Sequence, residues 1–123
     1  MVLSPQKEPK VTIGRVDFRI DVANEPAEWR RGLVGHAPLQ QGEGMFFLFP
    51  SADNRTFWMK NMDFPIDIIW IAGNEVIGYV DDATPDDGEI VYNSPGKVDK
   101  VLEIAAGERK RLGITIGAPV AVE

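Results

Sequence analysis

Trp58, Lys60, Asn61 and Asp67 fall within one stretch, TFWMKNMDFPIDIIWI, residues 56–71 of a 123-residue chain. An aromatic plate with a few convergent polar groups is the chemistry of a site for a sugar or another small ligand. Asp67 raises a second question, because it is the one acid inside the apolar run Ile66–Ile71. A carboxylate in apolar surroundings needs a counter-charge and hydrogen bonds. Alternatively it could work with a second acid. Asp67 with Glu103, Glu43 or Asp17 offers the paired carboxylates that glycoside hydrolysis uses, although the spacing favours none of these pairs. The candidate ligand-binding set is therefore Trp58, Lys60, Asn61, Asp67 and Glu103. The plainer reading of the same residues is core packing and one structural ion pair.

Other chemistries find little support. Cysteine is absent, which removes disulfides, thiolate metal sites and a Cys nucleophile. His36 is the single histidine, so a transition-metal site would rest on carboxylates, and no nucleophile-elbow pattern surrounds any serine. Asp81-Asp82 and Asp86-Asp87-Gly88 supply oxygens for a hard cation, but without the spacing of a helix-loop-helix calcium site, and a solvated acidic loop is the plainer account. No phosphate loop with its Lys-Ser/Thr is present. A net charge of −6 disfavours nucleic acid as a partner, and Arg30-Arg31 and Arg109-Lys110-Arg111 read as solvated helix faces. No cofactor and no metal are expected. The expected partner is a small molecule such as a carbohydrate.

The elements that must position these residues follow from periodicity. VTIGRVDFRIDVA, residues 11–23, alternates with Val16, Phe18, Ile20 and Val22 on one side, which reads as a half-buried strand. Residues 26–34 read as a short helix with Asn24 as its N-cap, Pro26 in its first turn, and Gly35 at its exit. MFFLF, residues 45–49, is apolar throughout and reads as a strand buried on both faces and ended by Pro50. Residues 56–61, 66–72 and 75–80 read as strands, the last two joined by a tight turn at Ala72-Gly73-Asn74. Residues 98–104 alternate as another strand. Residues 105–111 suggest a helix closed by Gly113, and APVAV a final short strand. The fold expected is mainly β, a compact antiparallel or mixed barrel-like sheet of about seven short strands with two short helices. Residues 1–10 read as a flexible arm and 11–123 as one β-rich domain.

Pairing 56–61 with 66–72 as an antiparallel hairpin, Asn61 opposite Ile66, sets Lys60 directly across from Asp67. Opposed side chains touch, so the ammonium would neutralise the acid. Each single replacement in such a pair would be costly and the double replacement near neutral.

Three segments, GLVGHAPLQQGEGMFFLFP, RTFWMKNMDFPIDIIWI and VLEIAAGERKRLGITIGAPV, resemble the prokaryotic family called domain of unknown function 192. The similarity runs from about Trp29 to Val122, and the Phe57-Trp58-Met59-Lys60-Asn61 block with Pro65 and Asp67 carries most of its specificity. The resemblance marks Gly44, Met45, Trp58, Met59, Lys60, Asn61, Pro65, Asp67, Leu102 and Glu103 as signature positions. Val34 and His36 depart from the Met and basic residue common after Gly-Leu, and the loop DATPDDGE lacks the Cys that many members carry. The resemblance implies a small β-rich domain, often behind a secretion signal or lipid anchor, and brings no established reaction. Residues 1–10 are too short in apolar content for a signal peptide. They suit a tail left by removal of an upstream signal, which would make the chain extracytoplasmic, and equally an ordinary cytoplasmic N-terminus. No apolar run reaches the roughly 18 residues needed to span a bilayer. The function expected is a small non-enzymatic ligand-binding domain. The alternatives are a hydrolase-like enzyme using paired carboxylates, and a protein-interaction domain with a flat exposed apolar patch.

Overall fold

The computed structural model describes residues 8–123. Among them the chain forms β1 (Lys10–Ile13), β2 (Val16–Ala23), α1 (Pro26–Arg31), β3 (Glu43–Asp53), β4 (Thr56–Trp58), β5 (Ile66–Ala72), β6 (Glu75–Ala83), β7 (Val91–Asn93), β8 (Val98–Ala105), α2 (Glu108–Arg111) and β9 (Val120–Val122). Seven strands make one sheet in the order β6-β5-β8-β3-β2-β1-β9, while β4 and β7 form a separate two-stranded ladder. Only β2 and β3 pair in parallel, with α1 in the connection between them. The sheet curls into a half-barrel. Its two edges meet at one end, where Val76 N–H donates to Ala118 O, Gly117 N–H to Val76 O and Val120 N–H to Asn74 O. The mainly β, barrel-like fold expected from the alternating pattern is the fold observed. Of the expected arm, residues 1–7 lie outside the described residues, and Lys10 already opens β1.

Strand alternation divides the apolar residues between two cores. The enclosed face gathers side chains from every strand of the large sheet, among them Ile13, Phe18, Phe46, Ile69, Val76, Leu102, Ile104 and Val120. The outer face of β3, β5 and β8 carries a second core of Phe47, Ile66, Ile68, Trp70 and Val101, covered by Leu33, Met59 and Phe64. Phe46 and Phe47 thus point to opposite cores, as an apolar run buried on both sides requires.

Several boundaries differ from those the sequence suggests. The stretch 11–23 is two strands, turned at Gly14, whose φ of 60 lies in the left-handed region that glycine adopts without strain. The helix α1 ends at Arg31 because Gly32 takes φ 51. Its start is held by Glu28, whose carboxylate accepts from the backbone N–H of both Asn24 and Glu25. Pro50 does not end β3. The β3–β8 ladder is irregular between Leu48 and Asp53, and an irregular ladder tolerates a residue without N–H.

The hairpin between 56–61 and 66–72 does not form, and Lys60 does not face Asp67. Both neighbours of β5 are taken, β6 on one side and β8 on the other. The chain leaves β4 at Trp58, buries Met59, and turns through Asn61 at φ 64, with Met62 N–H bonded to Met59 O. β4 pairs instead with β7, Trp58 opposite Val91. Lys60 is exposed and forms a backbone bridge with Asp86.

Asp67 is fully buried and is stabilised by backbone donors. Ile66 pairs with Ala83 and Ile68 with Val80, so Asp67 faces two residues, Asp81 and Asp82. This bulge, with Asp82 at φ 52, breaks the ladder. One carboxylate oxygen of Asp67 takes the Asp82 N–H at 2.9 Å, and the other takes the Arg109 N–H of α2 at 2.9 Å. Arg109 in turn grips both oxygens of Asp81 at 2.7 Å, donates to Ile114 O and lies 3.9 Å over the Tyr79 ring. These hydrogen bonds hold the Asp81 carboxyl below its ordinary pKa.

Replacing Asp67 by Leu leaves two buried N–H groups unbonded, and a loss on the order of 3 kcal/mol is expected in urea unfolding. Lys60→Met should add nothing to it, whereas a rescue in the double variant would restore the ion pair as the explanation. Gly44→Ala should cost roughly 2 kcal/mol, because a Cβ there would stand 2.8 Å from Leu102 Cδ1 and 2.9 Å from the Glu103 carbonyl oxygen. An unchanged unfolding midpoint would show that β3 and β8 can separate freely.

Candidate functional site

On the outer face of the sheet, the elements that cover the second core leave a hollow of about 790 Å³ between α1 and the β4 segment. Its wall is a chain of rings. Trp29 meets Phe49 at 4.9 Å between centroids and Phe47 meets Phe57 edge-on at 5.1 Å, while Trp70, behind the wall, backs Phe57 at 5.5 Å. Trp29 is fixed by its indole N–H, which is shared between Ala23 O at 3.0 Å and Leu48 O at 3.1 Å. That bond pair ties α1 to the end of β2 and the middle of β3. The β4 side is held by its pairing with β7, reinforced by Thr56 Oγ1 donating to Asn93 Oδ1 at 2.7 Å.

Glu103 reaches this hollow from β8. It stands opposite Ile68 of β5 and Met45 of β3, so its side chain points outward while Leu102 and Ile104 point into the barrel. Glu103 is only 6% exposed. Its carboxyl pKa is pushed up from 4.5 to about 8 by burial alone, with no cation contributing. An acid removed from water and given no counter-charge keeps its proton. At neutral pH Glu103 is therefore mainly a neutral carboxylic acid, able to donate one hydrogen bond and accept another. Gly32 forms the facing backbone, and a Cβ placed on it would come within 4.0 Å of Glu103 Oε1 and 3.6 Å of Phe47 Cζ.

Cations line the same hollow. Arg30, Arg31, Arg55 and Lys60 contribute to it, and Glu103 is the single acid among its lining residues. Arg55 is the most constrained of them. Its guanidinium lies 3.9 Å over the Phe49 ring, Nη2 donates to Ser51 O at 2.7 Å, and its buried Nε–H has no acceptor among the described residues. Trp58 is 55% exposed at the rim, with the Lys60 ammonium 5.4 Å from its ring.

The structure thus brings Trp58, Lys60 and Glu103 to one hollow and sets Asn61 and Asp67 apart from it. Asn61 serves the Met59–Met62 turn, since Asn tolerates positive φ better than most residues. Asp67 pairs with Ile104 and faces the barrel interior, on the side of the sheet opposite to Glu103. The two acids therefore cannot flank one bond. Glu43 accepts the Gln40 N–H at 2.8 Å, lies 3.7 Å from Arg19, and lines a different hollow. Among the described residues no three His, Asp or Glu side chains gather as a metal-binding group. Sequence reasoning missed Trp29, Arg55 and Phe57 as lining residues. Trp29 and Phe57 were visible only as members of the Trp and Phe residues crowded between positions 29 and 70, and nothing in the sequence marked Arg55.

Fold and hollow together define a small β half-barrel domain with one aromatic-walled, cation-rimmed recess on its outer face. The chain belongs to the domain of unknown function 192 family, described as uncharacterized, whose sequence profile matches residues 9–122. A protein of unknown function from Novosphingobium aromaticivorans DSM 12444 is 37% identical, and the alignment covers 91% of this chain and 83% of that one with a TM-score of 0.86. A structure described as a putative transcription regulator from Sinorhizobium meliloti 1021 is 27% identical, with 93% and 92% of the two chains covered and a TM-score of 0.86. No curated protein matches. No helix among the described residues is long and apolar enough to cross a membrane.

The elevated Glu103 pKa fixes the sign of a pH effect. Between its ordinary 4.5 and about 8 the folded chain holds a proton that the unfolded chain releases. Stability therefore falls as pH rises through that window and levels off above it. Glu103→Gln should remove this slope and gain on the order of 5 kcal/mol relative to the parent at pH 9, read from urea unfolding at pH 5, 7 and 9. Parallel pH profiles for the two proteins would place Glu103 in water.

Proposed function

We propose that this chain is a non-enzymatic small-molecule-binding domain whose ligand enters the recess over Glu103. What supports the reading is a nearly buried carboxylic acid that makes no side-chain hydrogen bond among the described residues and opens into an aromatic-walled hollow. A carboxyl facing a largely apolar hollow can donate to a ligand carbonyl and accept from a ligand hydroxyl. The exposed face of Trp58 supplies a stacking surface, which supports a ring-shaped ligand such as a carbohydrate. Cleavage by paired carboxylates finds no support, because no second acid lines the recess. A protein-docking reading has one observation in its favour, the exposure of Ile90 and Val91 beside Trp58. A ligand lying across Trp58 would cover part of the same patch.

Amide chemical-shift mapping against a panel of neutral sugars, sugar acids, sugar phosphates and aromatic carboxylates tests the reading. Perturbations are expected at Gly32, Phe57, Trp58 and Glu103, with saturable binding weakened at least about fivefold by Trp58→Ala. Shifts confined to other surfaces, or no shifts across the panel, would overturn it.

A further inference from the structure

Resting on the binding reading above, we infer that the ligand is a small organic anion carrying a ring, with its negative group held by the cations around Arg55 and an acceptor atom hydrogen-bonded by the Glu103 carboxyl. The first support is the distribution of charge. The chain has 13 Lys and Arg against 19 Asp and Glu, yet four of those cations and one of those acids line the recess. The local balance is opposite in sign to that of the whole molecule. A concave, low-dielectric wall focuses the field of such charges onto whatever enters, so the recess attracts anions although the remainder of the surface repels them.

The second support is that these cations are not spent on protein. Arg31 reaches only the Val34 carbonyl, at 3.4 Å. Arg55 is positioned by Phe49 and Ser51, neither of which carries charge, and keeps a buried Nε–H without an acceptor. No ion pair joins any of the four to a carboxylate among the described residues, whereas Arg19, Arg109 and Arg111 each have one. A guanidinium stacked on a ring and short of acceptors is preorganised for a planar anion.

The third support is Glu103 itself. Among the groups packed about it, Met45 and Phe47 of β3 and Ile68 of β5 are apolar, and the charged neighbours across the recess are Arg30 and Arg31 of α1 with Arg55 and Lys60 of the β4 segment. A ligand cation would have to ionise Glu103 and overcome four like charges. An anion faces no such opposition while Glu103 holds its proton, because the acid then acts as a neutral donor. Once Glu103 ionises, it repels the same ligand. The buried acid therefore makes anion binding depend on pH, without any movement of the fold.

Glucuronate, galacturonate and mannuronate, each paired with its neutral parent sugar, and glucose 6-phosphate paired with glucose, are the probes, titrated calorimetrically into the intact chain at pH 6.5 and 9.5. At pH 6.5 at least one anion is expected to bind about tenfold or more tightly than its neutral parent. The uronate and phosphate arms separate carboxylate from phosphate recognition. At pH 9.5 the affinity should drop about tenfold, and Glu103→Gln, which keeps a donor but cannot ionise, should abolish that drop. Arg30→Ala and Lys60→Ala, both at exposed positions, should weaken the anion by a larger factor than its neutral parent sugar. Equal affinity within every pair would overturn the anion inference and leave small-molecule binding standing. Failure of all probes to bind a chain whose circular dichroism is intact would overturn both.

Discussion

The fold turns on one carboxylate that completes a broken ladder. Among the described residues Asp67 has no ammonium partner. It stands at a place where β6 carries one residue too many, and its two oxygens accept the backbone N–H groups of Asp82 and Arg109. An ionic side chain thus performs the task of main-chain carbonyls, and it links three elements, β5, β6 and α2, at one end of the barrel. Arg109 completes the junction from the other side by clamping Asp81 of the same bulge. A hydrophobic residue at position 67 would fit the surrounding isoleucines in size, but it would accept neither bond. The cost of burying charge is therefore offset by geometry that a neutral side chain cannot reproduce.

That junction also explains why β5 can be central. With its start fixed, β5 runs between β6 and β8, and its side chains serve both cores in alternation. The placement excludes β4 from the large sheet and leaves it to pair with the short β7. The recess exists because of this exclusion. β4 and β7 stand off the sheet as a small separate ladder, and the gap between that ladder and α1 is the space that Glu103 faces.

Much of the fold was legible in the chain, and the reasons for the rest are local. Alternation in Val16–Ala23, the apolar run at Met45–Phe49 and the tight turn at Gly73 depend on residues adjacent in sequence, and each appears as expected. Gly14 and Arg15 form a two-residue turn that shifts the alternation, from Val11 and Ile13 before it to Val16, Phe18 and Ile20 after it, and this change of phase spans too few residues in β1 to stand out from one long alternating strand. The hairpin assigned to residues 56–72 failed because nearness in sequence does not decide strand pairing. β5 satisfies its edges with strands that lie beyond it in the chain, and Asn61 withdraws the segment after Trp58 from any ladder. Of the candidate site, Trp58, Lys60 and Glu103 converge although 43 residues separate Lys60 from Glu103. Asp67, which drew attention first, lies on the far face, where it accepts two backbone N–H groups. The unusual acid is Glu103, which looks ordinary in sequence because the alternation around it matches that of any half-exposed strand. Only the cover provided by α1 and β4 turns its solvent face into an interior.

The sheet that separates barrel from recess is a single layer. Leu102, Glu103 and Ile104 are consecutive, so the residues lining the hydrophobic interior and the acid facing the recess share one backbone. Such a partition transmits shape in both directions. A larger side chain inside the barrel would press on the same backbone that carries Glu103, and a displacement of Glu103 would be felt by Leu102 and Ile104. Divergence within this fold is thereby constrained in an uncommon way, because the interior cannot be remodelled without disturbing the floor of the recess.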